Sequence, residues 1–325
     1  MDFRTPIRLS PADQQIGYDQ QLLALGSCFA DRMGDRMAVS KLDIQVNPLG
    51  ISYNPLSLAR LLTLGLEDTP PTPRYAEHLG QWCSFDLHSR FNQSERDFFE
   101  SEVAFSLRKV AERLPNLEWL ILTWGTAWIY YHPQHPGPVN NNHRFPTSEF
   151  TLQLAEVSEI VNTWRKLLEK LREHAPNLKV ILTVSPIRHI RHTIPGNSVS
   201  KAALRLACHQ LSEQEGVYYF PSFEIMMDDL RDYRFYADDM LHPTELAEAY
   251  IWEQFAASYF SQETCHLMSE LESVQRDLNH KARRPGSDEH QAFLKRLEGK
   301  VQRLEAQGIN LGVEKSRLKS LKEQI

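Results

Sequence analysis

The sequence predicts an α/β domain whose parallel sheet is covered by helices on both faces. Short apolar runs that stop at glycine or proline alternate with longer amphipathic segments, the pattern of a crossover-connected sheet. A change of composition near residue 262 sets off a charged helical tail.

The first run, Leu22-Leu23-Ala24-Leu25, ends in Gly26, and the second, Leu120-Ile121-Leu122-Thr123, ends near Gly125. Residues 180–184 stop at Ser185-Pro186, and residues 217–220 stop at Pro221. Unbroken apolar runs of this length read as strands buried on both faces. Residues 94–114, 148–174 and 198–215 carry helical spacing. In the middle one Val157, Ile160, Val161, Trp164, Leu167, Leu168 and Leu171 form one stripe. Proline and glycine density predicts loops at 65–74 and 132–146, both long enough to border a site.

Beyond residue 262 aromatic residues nearly vanish. Residues 281–325 hold 11 Lys+Arg against 6 Asp+Glu, whereas residues 1–280 hold 25 against 36, so the tail is basic and the body acidic. Leu294, Leu297, Val301 and Leu304 follow i, i+3, i+7, i+10, but Gly308 and Gly312 interrupt the stripe. About two heptads is short for an autonomous coiled coil. The expectation is a catalytic domain over 1–262 and a helical extension over 263–325. That extension either packs on its own body, stays a solvated arm, or mediates self-association.

Of the 325 residues, 42% are apolar and 24% charged, enough for a sizeable core. A net charge of -6 offers no global attraction to a phosphate backbone, so a nucleic-acid partner is not expected. Cys28, Cys83, Cys208 and Cys265 form no C-x-x-C pair, which argues against a zinc ribbon or dithiol motif and for reduced thiols. Met1-Asp2-Phe3-Arg4 leads into proline and polar residues, without the apolar core of a secretory signal. The most apolar stretch, 117–131, is broken by Glu118, Thr123, Gly125 and Thr126 and falls short of the ~20 residues a membrane span needs. A cytoplasmic chain is expected. No H-E-x-x-H or comparable spacing calls for a metal, and no cofactor is required.

In a parallel sheet the loops leaving the strand C-termini converge on one edge, where ligands bind. Here they read Gly26-Ser27-Cys28-Phe29-Ala30, Gly125-Thr126-Ala127-Trp128 and Ser185-Pro186-Ile187-Arg188-His189. Asp238-Asp239-Met240-Leu241-His242-Pro243 then opens an amphipathic helix. An Asp three residues before a His can accept from imidazole Nδ1 and leave Nε2 as a base.

These blocks resemble the GSCFA family, named for the motif at Gly26 to Ala30 and distantly related to the SGNH or GDSL esterases. The likeness extends through Asn47-Pro48-Leu49-Gly50-Ile51-Ser52-Tyr53-Asn54-Pro55, Asn141-Asn142-His143-Arg144, Ser200-Lys201, Tyr219-Phe220-Pro221-Ser222-Phe223-Glu224 and the stretch from Leu230 to His242. One departure is Asn142, where the family would have cysteine. The resemblance implies an SGNH-like three-layer α/β/α sandwich with a nucleophile after the first strand and an Asp-x-x-His pair near its end. Register against Gly-Asp-Ser places that nucleophile at Cys28, with Ser27 as its rival; a buried cysteine capped by serine is the structural alternative.

Gly50 resembles the glycine of the second SGNH block, an oxyanion position, although a turn explains it as well. The third-block Asn of the related esterases is replaced by the Gly125-Thr126 turn, so Thr126, or a group from Asn54 or Asn142, would have to serve instead. His143, Arg188 and His189 are candidate substrate contacts suited to a polyhydroxylated or anionic molecule. A salt bridge from Arg188 to Glu224 or Asp232 is the alternative. The reading is a hydrolase acting on a small-molecule or glycan acyl ester through an acyl-enzyme. Its alternatives are acyl transfer to a non-water acceptor and a non-catalytic glycan-binding module.

Overall fold

The computed structural model describes residues 5–66 and 73–323. The chain begins with β1 (Gln21–Gly26), α1 (Cys28–Val39), β2 (Asp43–Val46), α2 (Pro55–Leu66), β3 (Tyr75–His78), β4 (Gln81–Ser84) and α3 (Arg96–Arg113). Next come β5 (Leu117–Trp124), β6 (Trp128–His132), β7 (His135–Val139), β8 (Thr151–Leu154), α4 (Val157–His174), β9 (Lys179–Val184), α5 (Thr193–Leu211) and β10 (Val217–Phe220). The turn α6 (Ser222–Glu224) runs into π-helical Ile225–Asp229, and α7 (Glu245–Tyr259), α8 (Gln262–Asn279), α9 (Asp288–Ala306) and α10 (Gly312–Glu323) complete the chain.

Five strands form one parallel sheet in the order β2-β1-β5-β9-β10. The winding direction reverses between β1 and β5, which opens a crevice beyond the C-terminal ends of those two strands. Successive side chains point to opposite faces. Leu23, Leu25, Leu120, Leu122, Val180 and Leu182 pack under α2, α3, α4 and α5, whereas Leu22, Ala24, Trp119, Ile121 and Ile181 pack under α1 and α7. The result is the three-layer α/β/α arrangement expected. Each large apolar side chain buried in these layers contributes roughly 1.5–3 kcal/mol.

The four apolar runs are strands, and β2 is a fifth without such a run, because Asp43-Ile44-Gln45-Val46 alternates, as suits a partly exposed edge. Residues 147–149 form a single 3-10 turn and a strand follows: Leu152 and Leu154 pair with Tyr130 and Trp128 across β8 and β6, and the α-helix starts only at Val157. The third helix starts earlier than expected, at Thr193, with Pro195 in its first turn, where a missing N–H costs nothing. The loop expected at 132–146 contains β7, which pairs with β6. The loop expected at 65–74 lies largely outside the described residues.

Two small antiparallel sheets, β3-β4 and β7-β6-β8, stand beside the main one. The β3-β4 turn places Leu79 and Gly80 at φ of 51° and 72°, the two-residue geometry that matches strand twist. Asp86, 1% exposed, binds them together by accepting from Arg60 Nε at 2.6 Å and Arg74 Nε at 2.9 Å. Arg74 also donates to the carbonyls of His135, Pro136, Gly137 and Pro138 in the neighbouring hairpin. Burial alone would raise the Asp86 pKa, but the bonds from Arg60 and Arg74 outweigh it and hold the carboxyl below its usual range.

The tail is helical. Leu294, Leu297, Val301 and Leu304 are covered by the chain itself, packing with Leu271, Val274 and Leu278 of α8 and with Ile309, Leu311 and Leu318. Met268 of α8 faces the other way, into the core beneath α1 and α7. Lys41 pairs with Glu314 at 2.9 Å, joining α10 to the body. No helix among the described residues is long and apolar enough to cross a membrane.

Candidate active site

The loops after β1, β5 and β9 and the Asp239–His242 loop meet at the C-terminal edge of the sheet. Gly26 ends β1 at φ +143°, where a Cβ would lie 2.1 Å from Thr123 O, so only glycine lets the chain leave the strand there. Ser27 caps α1: its hydroxyl accepts from Phe29 N at 3.3 Å, and the residue is 1% exposed. Cys28, the first helical residue, is partly exposed. Burial, followed by the nearby Asp31 carboxylate, pushes its thiol pKa up. A thiol so placed relies on a base to react.

Asn47 holds this turn together. Its Oδ1 accepts from Gly26 N at 2.8 Å, its Nδ2 donates to Asp31 Oδ1 at 2.6 Å, and its own N–H reaches Ala24 O. Asp31, raised by burial, feels Arg90 and His88 as counter-charges. Gly50 lies just beyond at φ +84°, where a Cβ would stand 2.3 Å from His88 Cβ, and its N–H donates to Asn47 O at 2.8 Å. The packing of His88 thus explains the glycine. Asn54 caps α2, with both side-chain atoms bonded to Ser57.

Gly125 and Thr126 both donate their N–H to Tyr53 O, at 2.7 and 3.0 Å. The Thr126 hydroxyl meets Ser200 Oγ at 3.1 Å and accepts from Trp128 N. His189 packs edge-on against Tyr53, with ring centroids 5.0 Å apart, and its backbone N–H is held by Asn197 Oδ1. A Cβ placed on Gly125 would lie 3.2 Å from His189 Nε2, so this ring borders the β5 turn directly. Burial, then Lys201, His192 and His242, lower the His189 pKa to about 4, which leaves it neutral.

The Asp239–His242 loop closes on itself. Asp239 Oδ1 accepts from Leu241 N and His242 N, both at 2.9 Å, and its Oδ2 lies 2.5 Å from His242 Nδ1. These two amides, then the imidazole contact, bring the Asp239 pKa down to about 2. Since an ionised carboxylate can only accept, Nδ1 carries the proton and Nε2 is left to act as a base. Met240 sits at φ +59° between the two residues. Arg188 anchors this loop to the β9 side: its N–H donates to Leu241 O at 3.3 Å, its Nη1 to Met240 O at 3.4 Å, and its guanidinium lies 4.0 Å from the Tyr236 ring centroid. The salt bridges considered for Arg188 go elsewhere: Glu224 pairs with Arg205 and Tyr219, and Asp232 with Arg234.

Asn142 and His143 are placed apart from these loops. With His78, Gln81, Ser89, Asn92 and Arg144 they line a polar cleft of about 540 Å³. His143 Nε2 lies 2.6 Å from Ser84 O, a carbonyl that can only accept, so this nitrogen bears the hydrogen. His88 connects the two regions, because it bears on the ionisation of both Asp31 and His143.

Asn47, Tyr53 and Lys201 lie within the family-like stretches of the sequence but carry no predicted role there. Lys201 did leave a signal: with Leu204, Cys208 and Leu211 it follows i, i+3, i+7, i+10, a lysine in the inward stripe of α5. Among the described residues no three His, Cys, Asp or Glu side chains gather where they could hold a metal ion.

A family model described as "GSCFA family" matches residues 21–255, and one described as "GSCFA domain protein, C-terminal domain" matches 271–323. A solved structure of a carbohydrate esterase family 3 protein from Talaromyces cellulolyticus shares 10% identity at a TM-score of 0.32, over 77% of this chain and 99% of that one. No curated protein matches the chain.

Proposed function

The chain belongs to the GSCFA family, and for it we propose hydrolysis of an acyl ester through a covalent acyl-enzyme, in an SGNH-like site built from Cys28, His242 and Asp239. The observation that carries this reading is the Asp239–His242 pair, whose 2.5 Å contact and two supporting amide bonds fix the imidazole tautomer. Cys28 is favoured over Ser27 as nucleophile because the serine hydroxyl is buried and occupied as a helix cap.

In this mechanism His242 Nε2 takes the thiol proton as Cys28 Sγ bonds to the ester carbonyl carbon. The carbonyl electrons move to oxygen, and the oxyanion faces the positive end of α1, where the Cys28 N–H leads the first turn. Neutral His189 is the second donor in this proposal. Collapse of the intermediate breaks the bond to the leaving alkoxide, which takes its proton from the imidazolium. Water then attacks the thioester and gives a proton to His242; the C–S bond breaks, the carboxylic acid leaves, and the thiolate takes that proton back from the imidazolium. Asp239 stays ionised throughout.

The test is mass spectrometry of the intact protein after exposure to p-nitrophenyl acetate: an acetyl adduct mapped to Cys28, absent from Cys28→Ala, is expected. No adduct on a folded protein would refute the mechanism.

One observation favours a second reading. The amides of Gly50, Gly125 and Thr126 and the side chain of Asn54 all have partners within the protein, so the usual oxyanion donors are spent. A glycan-binding module without turnover would keep its ligand affinity in Cys28→Ala and His242→Ala alike.

A further inference from the structure

Beside the Asp239–His242 loop the chain forms a small cavity of about 220 Å³, lined by Arg188, Met226, Met227, Arg231, Tyr233 and Tyr236 among others. Backbone bonds tie its wall to the loop. Tyr236 bridges Pro243, Ala237 N donates to His242 O at 2.8 Å, and Thr244 N donates to Phe235 O at 2.8 Å. Arg188 reaches both: its N–H and Nη1 hold the carbonyls of Leu241 and Met240, while its guanidinium lies 4.0 Å from the Tyr236 ring centroid and 5.6 Å from that of Tyr233.

The charges around this cavity cancel except for one. Arg231 pairs with Asp228 at 3.5 Å, and Asp232, which also lines the cavity, is taken by Arg234 through its Nε at 3.3 Å and its backbone N–H. Asp239 is held by His242, and Glu224 by Arg205. Arg188 therefore has no carboxylate partner among the described residues, although a guanidinium presents five N–H donors in a planar fork. The Tyr236 hydroxyl is a second underused donor: the residue is 7% exposed, and as a donor the hydroxyl reaches only the Met227 thioether, at 3.5 Å. Thioether sulfur is a weak acceptor. Met226 and Leu230, both buried, add apolar wall.

We propose that this cavity binds the carboxylate of a small organic acid, with Arg188 as its ion-pair partner and the Tyr236 hydroxyl as a second donor. The two oxygens of a carboxylate match the guanidinium fork. A monoanion balances the single uncompensated charge, whereas a phosphate dianion would exceed it. The cavity lies below the roughly 300 Å³ at which pockets for drug-sized ligands begin, so the acid carries only a few carbons, which the methionine and leucine side chains cover. The site stands apart from the acyl-enzyme reading, because Cys28, Asp239 and His242 are not among its binding groups.

The test is methionine-methyl NMR of the full-length protein at neutral pH, where a carboxylate is ionised, and at constant ionic strength. Sodium butyrate is the probe, butyramide its neutral counterpart, and inorganic phosphate the competing anion. Saturable shifts of the Met226 and Met227 methyls are expected, with Met37, in the core beneath α1, unmoved. Butyrate should bind at least about tenfold more tightly than butyramide, the margin an ionised acceptor adds to a hydrogen bond, and more tightly than phosphate. Arg188→Gln should abolish the saturable shifts, Tyr236→Phe should weaken binding, and Cys28→Ala should leave it unchanged. Shifts that never saturate, equal affinity for butyrate and butyramide, tighter binding of phosphate, or saturable binding retained by folded Arg188→Gln would each overturn the proposal. Loss of binding in Cys28→Ala would place the carboxylate at the Cys28 site and overturn it as well. The wild-type comparison of the three probes decides the matter even where Arg188→Gln fails to fold. Failure of the acyl-enzyme reading shows separately, as absence of an acetyl adduct on Cys28.

Discussion

Asp239 holds His242 by two routes: its Oδ2 lies 2.5 Å from Nδ1 of the ring, and its Oδ1 accepts the backbone N–H of the same histidine at 2.9 Å. Side chain and main chain of His242 are thus referred to one carboxylate. Replacing that carboxylate by an amide, in Asp239→Asn, should leave the loop folded but favour the wrong imidazole tautomer. Acylation of Cys28 by p-nitrophenyl acetate should fall by about 10⁴-fold, the loss typical of an orienting carboxylate. Release of p-nitrophenolate measures this, and an unchanged rate would remove Asp239 from the mechanism.

The pH dependence has a defined sign. Because the Asp239 pKa is held down to about 2, the carboxylate is charged at every pH above that value, and any stabilisation it gives is lost only as pH falls through it. Asp239→Glu, which keeps a carboxylate, should therefore leave the shape of the pH–rate profile unchanged. A rate profile whose acid limb shifts with the carboxylate would contradict this.

Ser27 and Cys28 separate cleanly. Ser27→Ala removes the cap of α1 and should cost about 0.5–2 kcal/mol in urea unfolding, while the acetyl adduct on Cys28 still forms. Cys28→Ala should abolish the adduct and leave the cap intact. An adduct retained in Cys28→Ala and lost in Ser27→Ala would reverse the assignment.

Asp86→Asn should cost about 3–5 kcal/mol, because two guanidinium groups lose the buried charge between them. The folded carboxyl pKa is depressed, so its contribution is fully present above the unfolded value of ~3.9. It disappears as pH falls through the lower, folded value. Urea unfolding of both proteins at a series of pH values should show a difference that is constant near neutrality and shrinks in acid; a difference that grows in acid would be inconsistent.

A chain ending at Arg284 should retain the sheet and the Asp239–His242 loop. The cores on the two faces of the sheet include no residue beyond Met268, whereas the loss of α9 and α10 uncovers Leu271, Val274 and Leu278 on α8. Cooperative thermal unfolding with increased binding of a hydrophobic dye is the expected result. A broad, non-cooperative transition would show that the tail belongs to the same folding unit.

Local chemistry made much of this protein readable from its residues in order. Unbroken apolar runs have to be buried on both faces, so the central strands and their parallel arrangement followed from Leu22 to Leu25, Leu120 to Thr123 and Val180 to Val184. Asp239 and His242 stand three residues apart in one loop, so their contact needs no distant partner. Tertiary structure alone decided which groups remain available. Gly50 and Thr126 are spent on partners far along the chain or across the turn, Asn142 and His143 go to a different cleft, and Ser27 turns inward while Cys28 stays partly exposed. It also decided that Lys201, on α5, lies beneath loops 76 and 16 residues away in sequence. A hydrogen bond between such positions has no sequence period to announce it; it exists only because the sheet brings the ends of β5 and β9 side by side above the same helix.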